Sequence, residues 1–270
     1  YTYCGKLADS DGSLGNMWEC PNFTRIENTD VLIFSPKGLE NGFPASFESG
    51  YMLGTMDYEN KKFEHDAYRT LDYGFDFYAP QVMECGTRKI LFAWFAIPDS
   101  IGKEMKDGWR HLLTLPRELK VSSDHRLLMT PIKELEKLRT KTIDTTLLNK
   151  SWERKVQTQP LELLITGQYK EVCLKIEDEN EQILELTVEK GSITLKQKRE
   201  EEWQQRMCSY QEENVWKMQI YMDYNTFEVF INDGKYVFSS RIYPDEALRF
   251  MVDVTSSDKE GRLEMYSLSL

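Results

Sequence analysis

Four stretches before residue 120 hold residue types that chemistry on a polar substrate uses. They are Trp18-Glu19-Cys20-Pro21, Asp76-Phe77-Tyr78-Ala79-Pro80-Gln81, Trp94, and Gly108-Trp109-Arg110-His111. A carboxylate flanked by aromatic groups is suited to general acid/base work, and a phenol is a neutral donor able to orient it. Each stretch also has a plainer reading: Glu19 as a strand-edge carboxylate, Tyr78 as core, a lone Trp as core rather than platform. Other chemistries lack carriers. The three histidines (His65, His111, His125) stand singly, without the spacing that puts two imidazoles on one zinc ion. There is no G-x-S-x-G, no phosphate-binding loop and no dinucleotide fingerprint. Five cysteines, at positions 4, 20, 85, 173 and 208, are odd in number and never spaced C-x-x-C. That pattern reads as reduced thiols of a cytoplasmic protein. Neither a metal nor an organic cofactor is expected.

A chain of 270 residues holds one to two domains. Its net charge of −11 argues against nucleic acid, because phosphate contacts need a basic face, and against anionic membrane surfaces. No apolar run approaches the roughly 18 residues of a membrane span. Two glycosylation sequons occur, at Asn22-Phe23-Thr24 and Asn149-Lys150-Ser151. The chain opens Tyr1-Thr2-Tyr3, with no initiator Met and no leader, and reads as a fragment or a processed product.

The elements that must position these residues are strands. Lys89–Ile97 is nearly continuously apolar and suits a strand buried on both faces. Thr226–Ile231, the turn Asn232-Asp233-Gly234, and Tyr236–Phe238 form the strongest hairpin signal. Alternation predicts further strands at Glu162–Thr166, Val172–Glu177, Ile183–Val188, Ile193–Gln197, Trp216–Met222, Arg249–Val254 and Arg262–Ser269. Lys196–Glu202 reads as a charged hairpin tip. One short helix is predicted at 131–138, with Pro131 in its first position. Long aromatic loops precede that helix and regular charged strands follow it. The division is therefore set there, with domains at 1–138 and 139–270, the second an antiparallel sandwich.

The stretches above do not stand alone. Trp18-Glu19-Cys20-Pro21, Asp30–Pro36 (DVLIFSP), Ser49–Gly54 (SGYMLG), Asp72–Gln81 (DYGFDFYAPQ) and Leu113–Leu119 (LTLPREL), with Glu228–Gly234 (EVFINDG) near the end, recur in this order in one family. The chain resembles glycoside hydrolase family 32, the invertases and β-fructofuranosidases, with its nearest likeness in the bacterial sucrose-6-phosphate hydrolase branch. The resemblance covers most of the chain. It implies an all-β fold: the C-terminal part of a five-bladed β-propeller, about blades three to five, followed by a β-sandwich.

The resemblance also implies roles. Glu19 matches the general acid/base and Tyr78 the tyrosine that orients it. Trp18, Cys20, Asp76, Phe77, Trp94 and Trp109 match or flank substrate-binding positions, and the substrate is a small carbohydrate, sucrose or sucrose-6-phosphate. An acid/base carboxyl needs a raised pKa, from desolvation or a like charge, and Trp18 and Pro21 are expected to form a partly dry wall. The family has Gly where this chain has Ala93. The aspartate nucleophile of the family lies in an Asn-Asp-Pro segment and a substrate-holding Asp in Arg-Asp-Pro, and neither segment occurs here. The missing part would come from an N-terminal segment or a second copy, and this chain alone would be inactive. The alternative is a non-catalytic carbohydrate-binding or assembly module.

Overall fold

Apolar alternation and turn chemistry give almost nothing but strands, and the structure, a computed structural model, is all-β. It describes residues 2–3, 5–39, 47–98, 100, 102–256 and 260–269. Cys4 lies outside the described residues; Cys20, Cys85, Cys173 and Cys208 are free thiols. The chain divides into two units, one of residues 1–72 and 76–130, the other of 73–75 and 131–270. The division thus falls at Pro131 rather than at 138.

The first unit contains two antiparallel sheets. One is ordered β1 (Met17–Ile26), β2 (Thr29–Lys37), β3 (Gly50–Asp57), β4 (Lys62–His65), with β5 (Arg69–Thr70) also on β3. The other is ordered β6 (Tyr78–Cys85), β7 (Arg88–Trp94), β8 (Arg117–Val121), β9 (Leu127–Pro131). Strand β2 is buried along nearly its whole length, because Val31-Leu32-Ile33-Phe34 offers apolar groups to both faces. Asp30 is buried at its start, where Oδ2 accepts the Met56 N–H at 2.8 Å and fixes the register of β2 on β3. The buried strand read at Lys89–Ile97 is β7, which ends three residues earlier, at Trp94.

The second unit holds one continuous eleven-stranded sheet. Its strands are β10 (Arg139–Leu148), β11 (Ser151–Gln157), β12 (Leu161–Glu177), β13 (Gln182–Glu189), β14 (Gly191–Arg199), β15 (Glu202–Tyr210), β16 (Val215–Asp223), β17 (Thr226–Ile231), β18 (Tyr236–Arg241), β19 (Ala247–Ser256) and β20 (Gly261–Leu268). The runs read as separate strands at 162–166 and 172–177 are one strand, β12, of 17 residues. Its first part pairs with β16 and β20, its last part with β13 and β19, and register shifts around Tyr169 mark the change. The two arms share one apolar cluster, including Leu163 and Ile165 from the first part and Leu174 and Ile176 from the last. Bulges let a strand leave one partner set for another without ending.

Turn chemistry decides the hairpins. Glu200 and Glu201, at φ 49° and 69°, form the charged tip between β14 and β15. Asn232, Asp233 and Gly234 all have positive φ between β17 and β18. The Asn232 side chain accepts from Trp216 N–H at 3.0 Å and donates to Tyr210 at 3.0 Å, so this turn is anchored to the core. The predicted helix is a 3-10 segment at Lys133–Leu138, and a second one spans Lys103–Asp107. Pro131 closes β9 instead of starting the helix, and only Leu135 of the segment is buried. One buried side chain cannot hold a longer amphipathic helix. No helix of the described residues is long and apolar enough to cross a membrane.

Tyr169 is the pivot of the second unit. It is fully buried and donates to the Leu148 carbonyl at 2.9 Å. A Cβ on Gly261 would stand 1.7 Å from its Oη. Gly261→Ala is therefore expected to destabilise the chain by about 2–3 kcal/mol through overpacking, read from urea unfolding. An unchanged midpoint would contradict the packing. Burial also pushes the Tyr169 phenol up to about 12. A folded pKa above the unfolded value of about 10 adds stability below pH 10 that is lost as pH rises toward 12. Tyr169→Phe should flatten that alkaline loss while lowering stability at pH 7 by roughly 1–3 kcal/mol, because the Leu148 carbonyl loses its partner.

Candidate active site

Two sequence stretches of the same form, Glu19-Cys20-Pro21 and Tyr78-Ala79-Pro80, make two β-bulges. In the first, Glu19 pairs with Ser35 and Asn22 with Ile33, so Cys20 and Pro21 oppose Phe34 alone. In the second, Tyr78 pairs with Trp94 and Gln81 with Phe92, so Ala79 and Pro80 oppose Ala93 alone. The physical causes match. Each Pro removes a ladder donor and disfavours the right-handed region for the residue before it. Cys20 and Ala79 sit left-handed, at φ 51° and 50°, rather than in the extended region that a following proline favours. A left-handed non-glycine residue costs about 1–2 kcal/mol. Strain of this kind persists only where surrounding structure over-determines it.

The bulge changes what faces what. With two residues opposing one, Glu19 and Asn22 come to the same face as Ser35 and Ile33. Tyr78 shares a face with Trp94 for the same reason. The result is a contact between two sheets: the Tyr78 hydroxyl donates to Glu19 Oε2 at 2.7 Å. Lys37, two residues along β2 from Ser35, places its Nζ 3.9 Å from Glu19 Oε1. The charge beside Glu19 is thus a cation, not the like charge that was one of the two alternatives, desolvation being the other. Tyr78 is buried, and desolvation together with the Glu19 hydrogen bond holds its phenol well above the ordinary tyrosine range. It remains a proton donor across the physiological range.

Alternation turns Trp18 to the other side of the strand. It stacks on Phe34 with ring centroids 4.2 Å apart, against the small core of Leu32, Phe34, Met52 and Phe63, and its Nε1 donates to the Leu14 carbonyl. Pro21 is exposed. The wall at Glu19 is built by Tyr78 and Lys37, not by Trp18 and Pro21. Cys20 is exposed on the bulge. Trp94 is half-buried and meets His111 edge-on at 4.8 Å. Trp109 is exposed, and beside it Arg110 Nε donates to His111 Nε2. Ala93 donates its N–H to Thr114 Oγ1 at 3.1 Å, inside the second bulge. Among the described residues, no group of three His, Cys, Asp or Glu stands ready to hold a metal.

Asp76 and Phe77 are both buried. The Arg117 guanidinium lies 4.8 Å over the Phe77 ring and donates to Asp72 Oδ2 at 2.9 Å, with both side chains fully out of solvent. Asp72 and Arg117 come from two of the recurring stretches, DYGFDFYAPQ and LTLPREL. Their pair holds the segment leading into β6, and hence Tyr78, to the start of β8. Sequence reading passed over Asn22 except as a glycan acceptor, and Lys37 altogether. Neither carried a signal, since Asn22 matters through the bulge register and Lys37 through the pairing of β1 with β2.

Comparison with known proteins gives the family. Residues 1–131 match the N-terminal domain of glycosyl hydrolases family 32 and residues 134–267 its C-terminal domain. A sucrose-6-phosphate hydrolase of Staphylococcus xylosus is 32% identical over 265 residues, covering 91% of this chain and 53% of that protein. One from Bacillus subtilis (strain 168) is 33% identical over 240 residues, covering 85% and 50%. A Bombyx mori family 32 β-fructofuranosidase, BmSUC1, superposes with a TM-score of 0.81 at 28% identity, covering 98% of this chain and 57% of that one. A mutant of that enzyme, solved in complex with sucrose, superposes with a TM-score of 0.82. The chain spans about half the length of these relatives.

The buried pair gives a stability test. Asp72→Ala takes a carboxylate partner from the buried Arg117 charge and should cost about 3–5 kcal/mol in thermal or urea unfolding. The double variant Asp72→Leu/Arg117→Met should recover much of that loss. Additive losses would rule out the pair as a unit. With both of its domain descriptions matched from residue 1 to residue 267, this chain belongs to glycosyl hydrolases family 32.

Proposed function

We propose that the chain carries the acid/base half of a retaining β-fructofuranosidase active site, acting on sucrose or sucrose-6-phosphate. The observation that carries this reading is the Tyr78–Glu19 hydrogen bond on paired bulges, in a chain with family 32 domains throughout. Retention needs two carboxyl groups about 5–5.5 Å apart. Glu19 is the first. It protonates the glucosyl oxygen as the glycosidic bond breaks, then deprotonates the water that releases fructose from the covalent intermediate. Tyr78 holds the carboxylate in place and keeps its own proton. The second carboxylate, the nucleophile, comes from outside these 270 residues.

Three of the chain's aspartates are committed to other work. Asp11 accepts from Ser13, Asp57 accepts from Glu59 and Asn60, and Asp72 pairs with Arg117. Trp94, Trp109 and Asp76 are read as the rim and floor of a furanose site. The two sheets of the first unit are read as propeller blades, and the two arms around β12 as the sandwich. The free thiols, and the Asn22 amide engaged by three neighbours instead of a glycan, support a cytoplasmic setting.

Alone, the 270-residue chain should hydrolyse neither sugar above background. Burst kinetics or a trapped fructosyl adduct on it would refute the division of labour. In the enzyme that includes the second carboxylate, Glu19→Gln should lose 10²–10⁴-fold in kcat on sucrose, about 3–5.5 kcal/mol of barrier. The loss should be far smaller for fructosylation from p-nitrophenyl β-fructofuranoside, whose leaving group departs without a proton, and KM should change little. Tyr78→Phe should cost less than Glu19→Gln, since it removes a hydrogen bond without removing the proton donor. Near-wild-type turnover of sucrose by Glu19→Gln would end the acid/base reading. No turnover by any longer form, together with retained fructoside binding, would favour the binding-module alternative.

A further inference from the structure

The Glu19–Tyr78 contact joins two sheets that share no ladder at this point, and each partner sits on a strained bulge. Something must hold the bulges in step. One side chain reaches both. Asn22 Nδ2 donates to the Cys20 carbonyl at 2.9 Å, within its own bulge, and to the Pro80 carbonyl at 2.9 Å, within the other. Its Oδ1 accepts the Val82 N–H at 3.0 Å, just past the second bulge. Three bonds from one amide therefore span Cys20, Pro80 and Val82.

We propose that Asn22 is a positioning residue for the acid/base pair, latching the Glu19 bulge to the Tyr78 bulge so that carboxylate and phenol meet. The catalytic meaning rests on the reading of Glu19 above; the geometry rests on the hydrogen bonds alone. The chemistry of the amide suits the task. Two carbonyls need two donors and one N–H needs an acceptor, and a primary amide supplies both at one short reach. An aspartate has no donor for the carbonyls, and glutamine is a methylene too long. The bulge itself is what brings Asn22 to the Glu19 face, three residues along the chain. Pro21 and Pro80 strengthen the need, because each removes a backbone N–H that would otherwise tie its bulge into a ladder.

The test reads geometry first, without turnover. Tyrosines of the 270-residue chain are labelled at Cζ with carbon-13, and Tyr78→Phe identifies the Tyr78 signal. Glu19→Gln marks where that signal moves when the ionised acceptor is gone. In Asn22→Ala the Tyr78 signal should move at least half of that distance at pH 7, while the signals of Tyr169, Tyr210 and Tyr221 stay in place. Asn22→Leu keeps the volume and removes all three bonds, and should behave alike. A Tyr78 signal at its parental position in either folded variant overturns the proposal. Failure of both variants to fold also overturns it, by making Asn22 a stability element. In the enzyme with its second carboxylate, Asn22→Ala should lose roughly 10- to 100-fold in kcat on sucrose with little change in KM, as expected of a misplaced group. A moved Tyr78 signal with Glu19→Gln fully active keeps the latch and discards the acid/base reading. An unmoved signal with Glu19→Gln inactive does the reverse.

Discussion

A phenol buried against a carboxylate from a neighbouring sheet is the contact on which the rest of the first unit depends. The Tyr78–Glu19 hydrogen bond of 2.7 Å requires two backbones to carry an extra residue at matching places. Both do so with the same chemistry, a left-handed residue followed by proline. Strain on both strands is tolerated because β2 and β7 behind them are packed and regular: Ile33, Phe34 and Leu91 are fully buried. The rigid strands set the frame and the bulges aim the side chains.

Charge is distributed to serve that contact. Glu19 stands between a neutral donor and the Lys37 ammonium, at the edge of solvent. A few residues away, Asp72 and Arg117 neutralise each other in full burial beneath Phe77. The one carboxylate keeps access to solvent; the other is sealed and fastens the segment that leads into Tyr78. Two acidic residues of the recurring stretches thus differ, one partly exposed and one sealed, by their surroundings alone.

The second unit solves a different problem with the same device. Strand β12 serves two arms, and the register shifts around Tyr169 allow it to change partners without exposing its backbone. Tyr169 fills the corner, and Gly261 and Gly167 yield the space it occupies. Glu162, from the same strand, receives two bonds from Arg139 and one from Gln219, so its buried charge is fully engaged.

The amino-acid sequence by itself determined the all-β class, eight of the eleven strands of the second unit but only β7 of the first, the charged tip at Glu200–Glu201, the Asn232–Gly234 turn and the family. Those features are local: period-two alternation, turn residues with positive φ, and motif order need no knowledge of what lies across a sheet. It also singled out Glu19 and Tyr78, through the motifs that carry them. It split β12 in two, because Gly167 and Gln168 interrupt the alternation and a bulge is invisible in one dimension. It made a helix of 131–138, because Ile132, Leu135 and Leu138 are spaced for one, while only Leu135 finds a core. It faced Trp18 toward Glu19, because adjacency in sequence says nothing of the side of a strand. The tertiary structure alone decided that Lys37 reaches Glu19, that Asn22 bridges two bulges, and that Asp72 meets Arg117. Each of those relations depends on register, and register is settled by how whole strands pair, not by the residues that profit from it.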